Sequence, residues 1–118
     1  MSVVVVELAG LEIAGRHGVE ERERATEQPF FYDLRLELAQ PAADQIEETV
    51  DYRAVAELVR GVSSSRQFLL LEALAAAVVD ALMERFPLER ARVRVRKPQV
   101  RLDAPVDYAA ATVERARR

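Results

Sequence analysis

The chain has 118 residues, half of them apolar and 31% charged, with few Gly and Pro. That is the composition of one globular domain, not of a disordered or fibrous segment. The net charge of −3 gives no general attraction to nucleic acid or an anionic membrane, the lack of cysteine excludes disulfides, thiolate metal sites and cysteine nucleophiles, and a lone His17 excludes a multi-histidine metal site within one chain.

The valine-rich start predicts a strand over Val3 to Leu8, with Ala9–Gly10 as a bulge before Leu11 and Ile13 continue it. Its apolar run is far short of a signal-peptide core or a membrane span, so a soluble, cytoplasmic protein is expected. AGRHGVEERERATEQP reads as a long charged loop ending at Pro29. In FFYDLRLELA, Phe30, Tyr32, Leu34, Leu36 and Leu38 alternate with Asp33, Arg35 and Glu37, which predicts a half-buried strand.

A polar connection, QPAADQIEETV, leads to Asp51 in the N-cap position of a helix whose apolar residues are Val55, Leu58, Val59 and Val62, with Gly61 as its terminator. SSSRQ then separates this helix from a longer one over about Phe68 to Phe86, with a stripe of Leu71, Leu74, Ala75, Val78 and Leu82 closed by Pro87. RARVRVRKP alternates again, with Arg92, Arg94 and Arg96 on one face and Val93, Val95 and Lys97 on the other. A last strand is expected over Val106 to Arg115. The resulting order, β-β-α-α-β-β, predicts an α+β domain with an antiparallel sheet and two helices on one face. Its two edges and uncovered sheet face argue for assembly.

Of the 17 Lys and Arg residues, Lys97 alone is lysine. Arginine stays protonated, whereas a lysine can be tuned by burial and neighbours into an acid or base. Its place at the end of an apolar row fits that role, and fits equally a side chain that snorkels into solvent. Glu72 interrupts FLLLEALAAAVV. A carboxylate there either faces water in a first helical turn or accepts from a ligand with two adjacent N–H donors, such as a guanine-like ring edge. Tyr52 opens a helix as a proton relay or as a packing residue with a wet tip. Glu23 by itself belongs to a solvated charged run, and a loop histidine such as His17 ordinarily has no special role. Ser63 to Ser65 lack the context of a nucleophile elbow, and glycines 15 and 18 do not make a phosphate loop.

Taken together, HGV followed by Glu23, EQPFFYDLRL, ETVDYRAVAELV, SRQFLLLEALAAAVVDAL and VRVRKPQV resemble the dihydroneopterin aldolase family. The resemblance covers nearly the whole chain and implies one domain over 1–118 with the tunnelling fold. It implies subunits whose sheets join into a barrel, two tetrameric rings forming a homo-octamer, and sites between neighbouring subunits. The implied activity is cofactor-free retro-aldol cleavage of a small-molecule pterin, 7,8-dihydroneopterin, to 6-hydroxymethyl-7,8-dihydropterin and glycolaldehyde. The substrate's own C=N bond would take up the electrons.

By this resemblance Lys97 is the central acid/base residue, Glu23 orients it and the substrate hydroxyls, and Tyr52 from a neighbouring subunit handles protonation of the enamine. Glu72 anchors the pterin ring, with Leu71, Val50 and Asp51 completing ring recognition. Zinc-dependent relatives of the fold need His or Cys ligands and the nitrile-reducing relative needs a cysteine nucleophile, neither of which suits this sequence. Three readings stay open: the aldolase with accompanying C2′ epimerase activity, an epimerase of dihydroneopterin triphosphate using Arg16, Arg22, Arg24 or Arg101, and a non-catalytic pterin or purine binder. Arg16 stands where the family often has an aromatic residue, and the loop after Lys97 also departs from the family pattern.

Overall fold

The computed structural model describes residues 2–118. The chain forms β1 (Val3–Gly15), a short helix α1 (Glu21–Ala25), β2 (Gln28–Ala39), a 3-10 turn (Ile46–Glu48), α2 (Tyr52–Ser65), α3 (Leu71–Arg85), β3 (Arg90–Lys97) and β4 (Ala109–Ala116). The sheet runs β1-β2-β3-β4, antiparallel throughout, with β1 and β4 at its edges.

Alternation in β2 sends Phe30, Tyr32, Leu34, Leu36 and Leu38 inward, each at most 2% exposed. In β1 the register shifts between Leu8 and Leu11, where Gly10 takes a φ of 71° and donates its N–H to Asp33 Oδ1. The inserted residue changes the inward parity. Val6 and Leu8 pack on the core before the bulge, and Leu11 and Ile13 after it. Without it, one half of the strand would turn its apolar side chains to the wrong face.

Helix α3 packs on β3 and β4, and α2 packs on α3 and β1. Their buried residues, Val55 and Val59 from α2 and Leu74, Val78, Val79 and Leu82 from α3, meet the inward row of the sheet. Full burial of each large apolar side chain is worth about 1.5–3 kcal/mol. The opposite sheet face is charged and cross-linked between strands: Arg96 pairs with Asp33 at 2.9 Å and Arg90 with Glu114 at 3.0 Å.

Four expectations need correction. The charged loop after β1 contains α1, because the Glu23 carboxylate reaches back to the Glu20 backbone N–H at 3.1 Å and starts a turn. Gly61 does not end α2, which runs through the three serines to Ser65. This glycine lies on an open helix face, where it costs only about 1 kcal/mol against alanine. Helix α3 starts at Leu71, not Phe68, because the Phe68 N–H and C=O are bonded to His17 and Gly18. The last strand begins at Ala109, not Val106, since its first rung faces Lys97 and Pro98 ends the partner strand.

Candidate active site

Lys97 is the last residue of β3 and continues the inward row of Val93 and Val95. Its Nζ donates to Glu23 Oε1, and both side chains are 14% exposed. The other Glu23 oxygen accepts the Glu20 N–H. Burial alone would push the Glu23 carboxyl up. The Lys97 hydrogen bond, the Glu20 N–H and the charges of Lys97 and Arg22 outweigh it and hold the group below its ordinary value. Gly18 makes room for this pair: a Cβ there would sit 2.6 Å from Glu23 Cδ, and its φ of 156° already favours glycine.

The same corner contains a residue that the sequence reading passed over. His17 is 2% exposed, with both ring nitrogens engaged. Phe68 N donates to Nδ1 at 3.0 Å, which leaves the proton on Nε2, 3.0 Å from Ser63 Oγ. The rings of Phe30 and Phe68 meet it edge-on at 5.0 and 5.4 Å. Burial first, then the charge of Arg66, lowers the imidazole to about 4, so the ring is neutral near pH 7. A sequence signal was present: Gly15 and Gly18 flank His17, and a Cβ at Gly15 would lie 2.7 Å from the ring.

A cavity of about 270 Å³ opens beside Glu23, walled in part by Arg22, Gln28, Gln99 and Arg101. Gln28 is 7% exposed, and among the described residues its Oε1 has no hydrogen-bond partner. The four arginines suggested as phosphate readers separate here. Arg16 donates to the Ala25 carbonyl, and Arg24 to the carbonyls of Gly18 and Val19, so both brace the backbone. Arg22 and Arg101 line the cavity.

The remaining candidates lie at the starts of the two long helices. Asp51 caps α2, accepting from the Arg53 N–H at 2.9 Å and from its guanidinium at 3.1 Å. Tyr52 follows and is 58% exposed, while Val50 is buried. Leu71 and the exposed Glu72 open α3. One chain therefore joins Glu23 to Lys97 directly. Among the described residues, no hydrogen bond or ion pair ties Tyr52 or Glu72 to them.

A four-stranded antiparallel sheet with two helices across one face, and a shielded lysine–carboxylate pair at its end, is a tunnelling-fold subunit with a candidate acid–base centre. The family model described as FolB, dihydroneopterin aldolase, matches residues 6–114, and the chain belongs to that family. It is 39% identical over 112 residues to the dihydroneopterin aldolase of Methylorubrum extorquens, covering 91% of this chain and 85% of that protein. The Streptomyces coelicolor dihydroneopterin aldolase is 36% identical, with 95% of this chain and 97% of that protein covered. Among solved structures, E. coli dihydroneopterin aldolase in complex with neopterin superposes with a TM-score of 0.81 at 25% identity, covering 98% of this chain and all of that one.

Proposed function

We propose that this protein is a lyase of folate biosynthesis that cleaves 7,8-dihydroneopterin into 6-hydroxymethyl-7,8-dihydropterin and glycolaldehyde. The observation that carries the reading is the Lys97–Glu23 pair, shielded at the sheet end of a chain of this family. The E. coli relative solved with neopterin supports a pterin as the ligand.

In this reading the ring edge docks on Glu72, whose two oxygens accept from a ring N–H and the 2-amino group. Leu71, Val50 and Asp51 complete ring recognition. The substrate tail runs to Glu23 and Lys97. Lys97 relays the 2′-hydroxyl proton through a water, the C1′–C2′ bond breaks, and glycolaldehyde leaves. The bonding pair moves into the adjacent C=N of the dihydropterin and gives an enamine. Protonation at C1′, relayed by Tyr52 of a neighbouring subunit, restores the C=N bond. Glu23 stays ionised near neutral pH, and its charge orients Lys97 and the tail hydroxyls. Gln28 Oε1, without a partner among the described residues, offers a further acceptor for a tail hydroxyl.

The open strand edges and exposed Tyr52 support sites completed between copies of one domain over 1–118; the resemblance implies an octamer of two rings, in the cytoplasm. Readdition of glycolaldehyde to the other face would invert C2′ and give epimerase activity. A second reading, an epimerase of dihydroneopterin triphosphate, is favoured by Arg22 and Arg101 on the cavity wall.

The test is incubation of the purified protein with 7,8-dihydroneopterin and, separately, its triphosphate, with assay of glycolaldehyde and the 2′ epimers. Glycolaldehyde from the free pterin is expected. No glycolaldehyde from the free pterin, with 2′ epimer from the triphosphate, would overturn the aldolase in favour of the epimerase, and binding without either product would leave a pterin-binding protein.

A further inference from the structure

We propose that His17 is a positioning residue for this reaction: its neutral imidazole ties the arm bearing Glu23 to the segment that leads into α3 and Glu72, and so sets the acid–base pair against the pterin anchor. The inference rests on the aldolase reading for its activity tests and on geometry for the rest.

Three links lace the arm over residues 17–24 to residues 67 and 68. Gly18 N donates to Phe68 O at 2.9 Å, Phe68 N donates to His17 Nδ1 at 3.0 Å, and Gln67 Nε2 donates to Arg24 O at 3.4 Å. Four residues beyond Phe68 comes Glu72. At the other end of the arm, Arg24 closes on Gly18 O and Val19 O, and Glu23 holds Lys97. The arm is therefore tied at both ends, and its seat is the His17 ring. Ser63 fixes that ring from α2.

Space filling alone does not account for the residue. Phe30 and Phe68 would accept an apolar side chain between them. A buried imidazole is tolerated only when both nitrogens are bonded, and here they bond to two different elements. Its backbone carbonyl also accepts from Gln28.

The substitutions separate the two bonds. His17→Asn keeps an acceptor near the position of Nδ1, His17→Gln keeps a donor toward Ser63, and His17→Leu keeps neither. The readouts are kcat for glycolaldehyde release, guanine affinity as a probe of the ring anchor alone, and the side-chain signal of [15N]lysine, which reports Lys97 without ambiguity because the chain has no other lysine.

The expected result for His17→Leu is a kcat loss of about 10- to 100-fold, the scale of an ångström-level misplacement. Guanine affinity stays nearly unchanged and the lysine signal is displaced, although His17 does not touch Lys97. His17→Asn recovers most of both. A folded His17→Leu with wild-type kcat, equal losses in the Leu and Asn variants, or an undisplaced lysine signal overturns the proposal. Should His17→Leu not fold, His17→Gln is read in its place against the same criteria. If wild-type protein releases no glycolaldehyde, the aldolase reading has failed by itself. The lysine signal then decides the positioning role: displacement in Leu with return in Asn upholds it, and no displacement overturns it.

Discussion

Lys97 and Glu23 are each 14% exposed and satisfy one another within a single chain, whereas Tyr52 is 58% exposed and Glu72 stands on the surface at the start of α3. The first pair was taken out of water by folding, and its desolvation is compensated by a direct bond, a backbone N–H and a laced arm. The second set keeps its hydration, and beside it Leu69 and Leu70 are about half exposed. The difference has a physical reading. The fold completes the Lys97–Glu23 pair within one chain and leaves the side chains at the helix starts open to a ligand or a second copy.

The strongest way to break this comparison is at Lys97. Lys97→Arg keeps the cation and the Glu23 partner but removes a titrating amine. The expected outcome is a folded protein of unchanged oligomeric state with kcat reduced by about 10²–10⁴, the usual contribution of general acid–base catalysis. Steady-state glycolaldehyde release checks it, and wild-type turnover would remove Lys97 from the chemistry.

On the open side, Glu72→Ala should behave oppositely. The carboxylate is exposed, so its loss leaves thermal stability nearly unchanged. Hydrogen bonds to a charged group are worth about 1.5–3 kcal/mol, which corresponds to roughly 10- to 100-fold in pterin affinity. Calorimetric titration with neopterin measures it. Unchanged affinity would count against the ring anchor.

The two regions also differed in how legible they were. Period-two alternation named the whole inward row of β2 and placed Lys97 on the inward side of β3, because strand geometry turns spacing directly into facing. The start of α2 was legible through Asp51, whose carboxylate caps it. Helix α1 was not, since EERER has no apolar face to show a period and its turn depends on one carboxylate bonding the backbone and Lys97 together. Nor was the start of α3. The helical pattern from Phe68 is genuine, but the backbone of Phe68 is committed to His17 and Gly18, partners about fifty residues away that periodicity does not see. His17 was hidden for the same reason: its function lies in what it bonds, not in where it stands in a pattern.

A pH titration sharpens the buried side. Unfolded His17 takes up a proton near 6.5, while the folded ring resists until about 4. In that window the unfolded state binds more protons, so stability is full above 6.5 and falls as pH drops towards 4, by about 2 kcal/mol at pH 5. Glu23 acts lower: its contribution is present above its ordinary 4.5 and is lost as pH falls further. Urea denaturation at pH 7 and pH 5 should show the loss in the wild type and a flatter response in His17→Asn. An equal loss in both would move the titration elsewhere.

The smallest expected effect concerns Asp51, which stands next to Tyr52 on the open side and also caps α2. One oxygen of its carboxylate takes the Arg53 N–H, and both face the Arg53 guanidinium, which together hold the group below its ordinary range. Removing an N-cap costs about 1 kcal/mol, so Asp51→Ala should lower stability by that amount. Asp51→Ser keeps a capping oxygen without the charge and should restore most of it. Activity separates capping from substrate binding. If Asp51 acts only by fixing the first turn that carries Tyr52, Asp51→Ser retains near wild-type KM for dihydroneopterin. A KM raised about tenfold in Asp51→Ser at restored stability would mean that its charge meets the substrate, and would make the start of α2 a ligand surface in its own right.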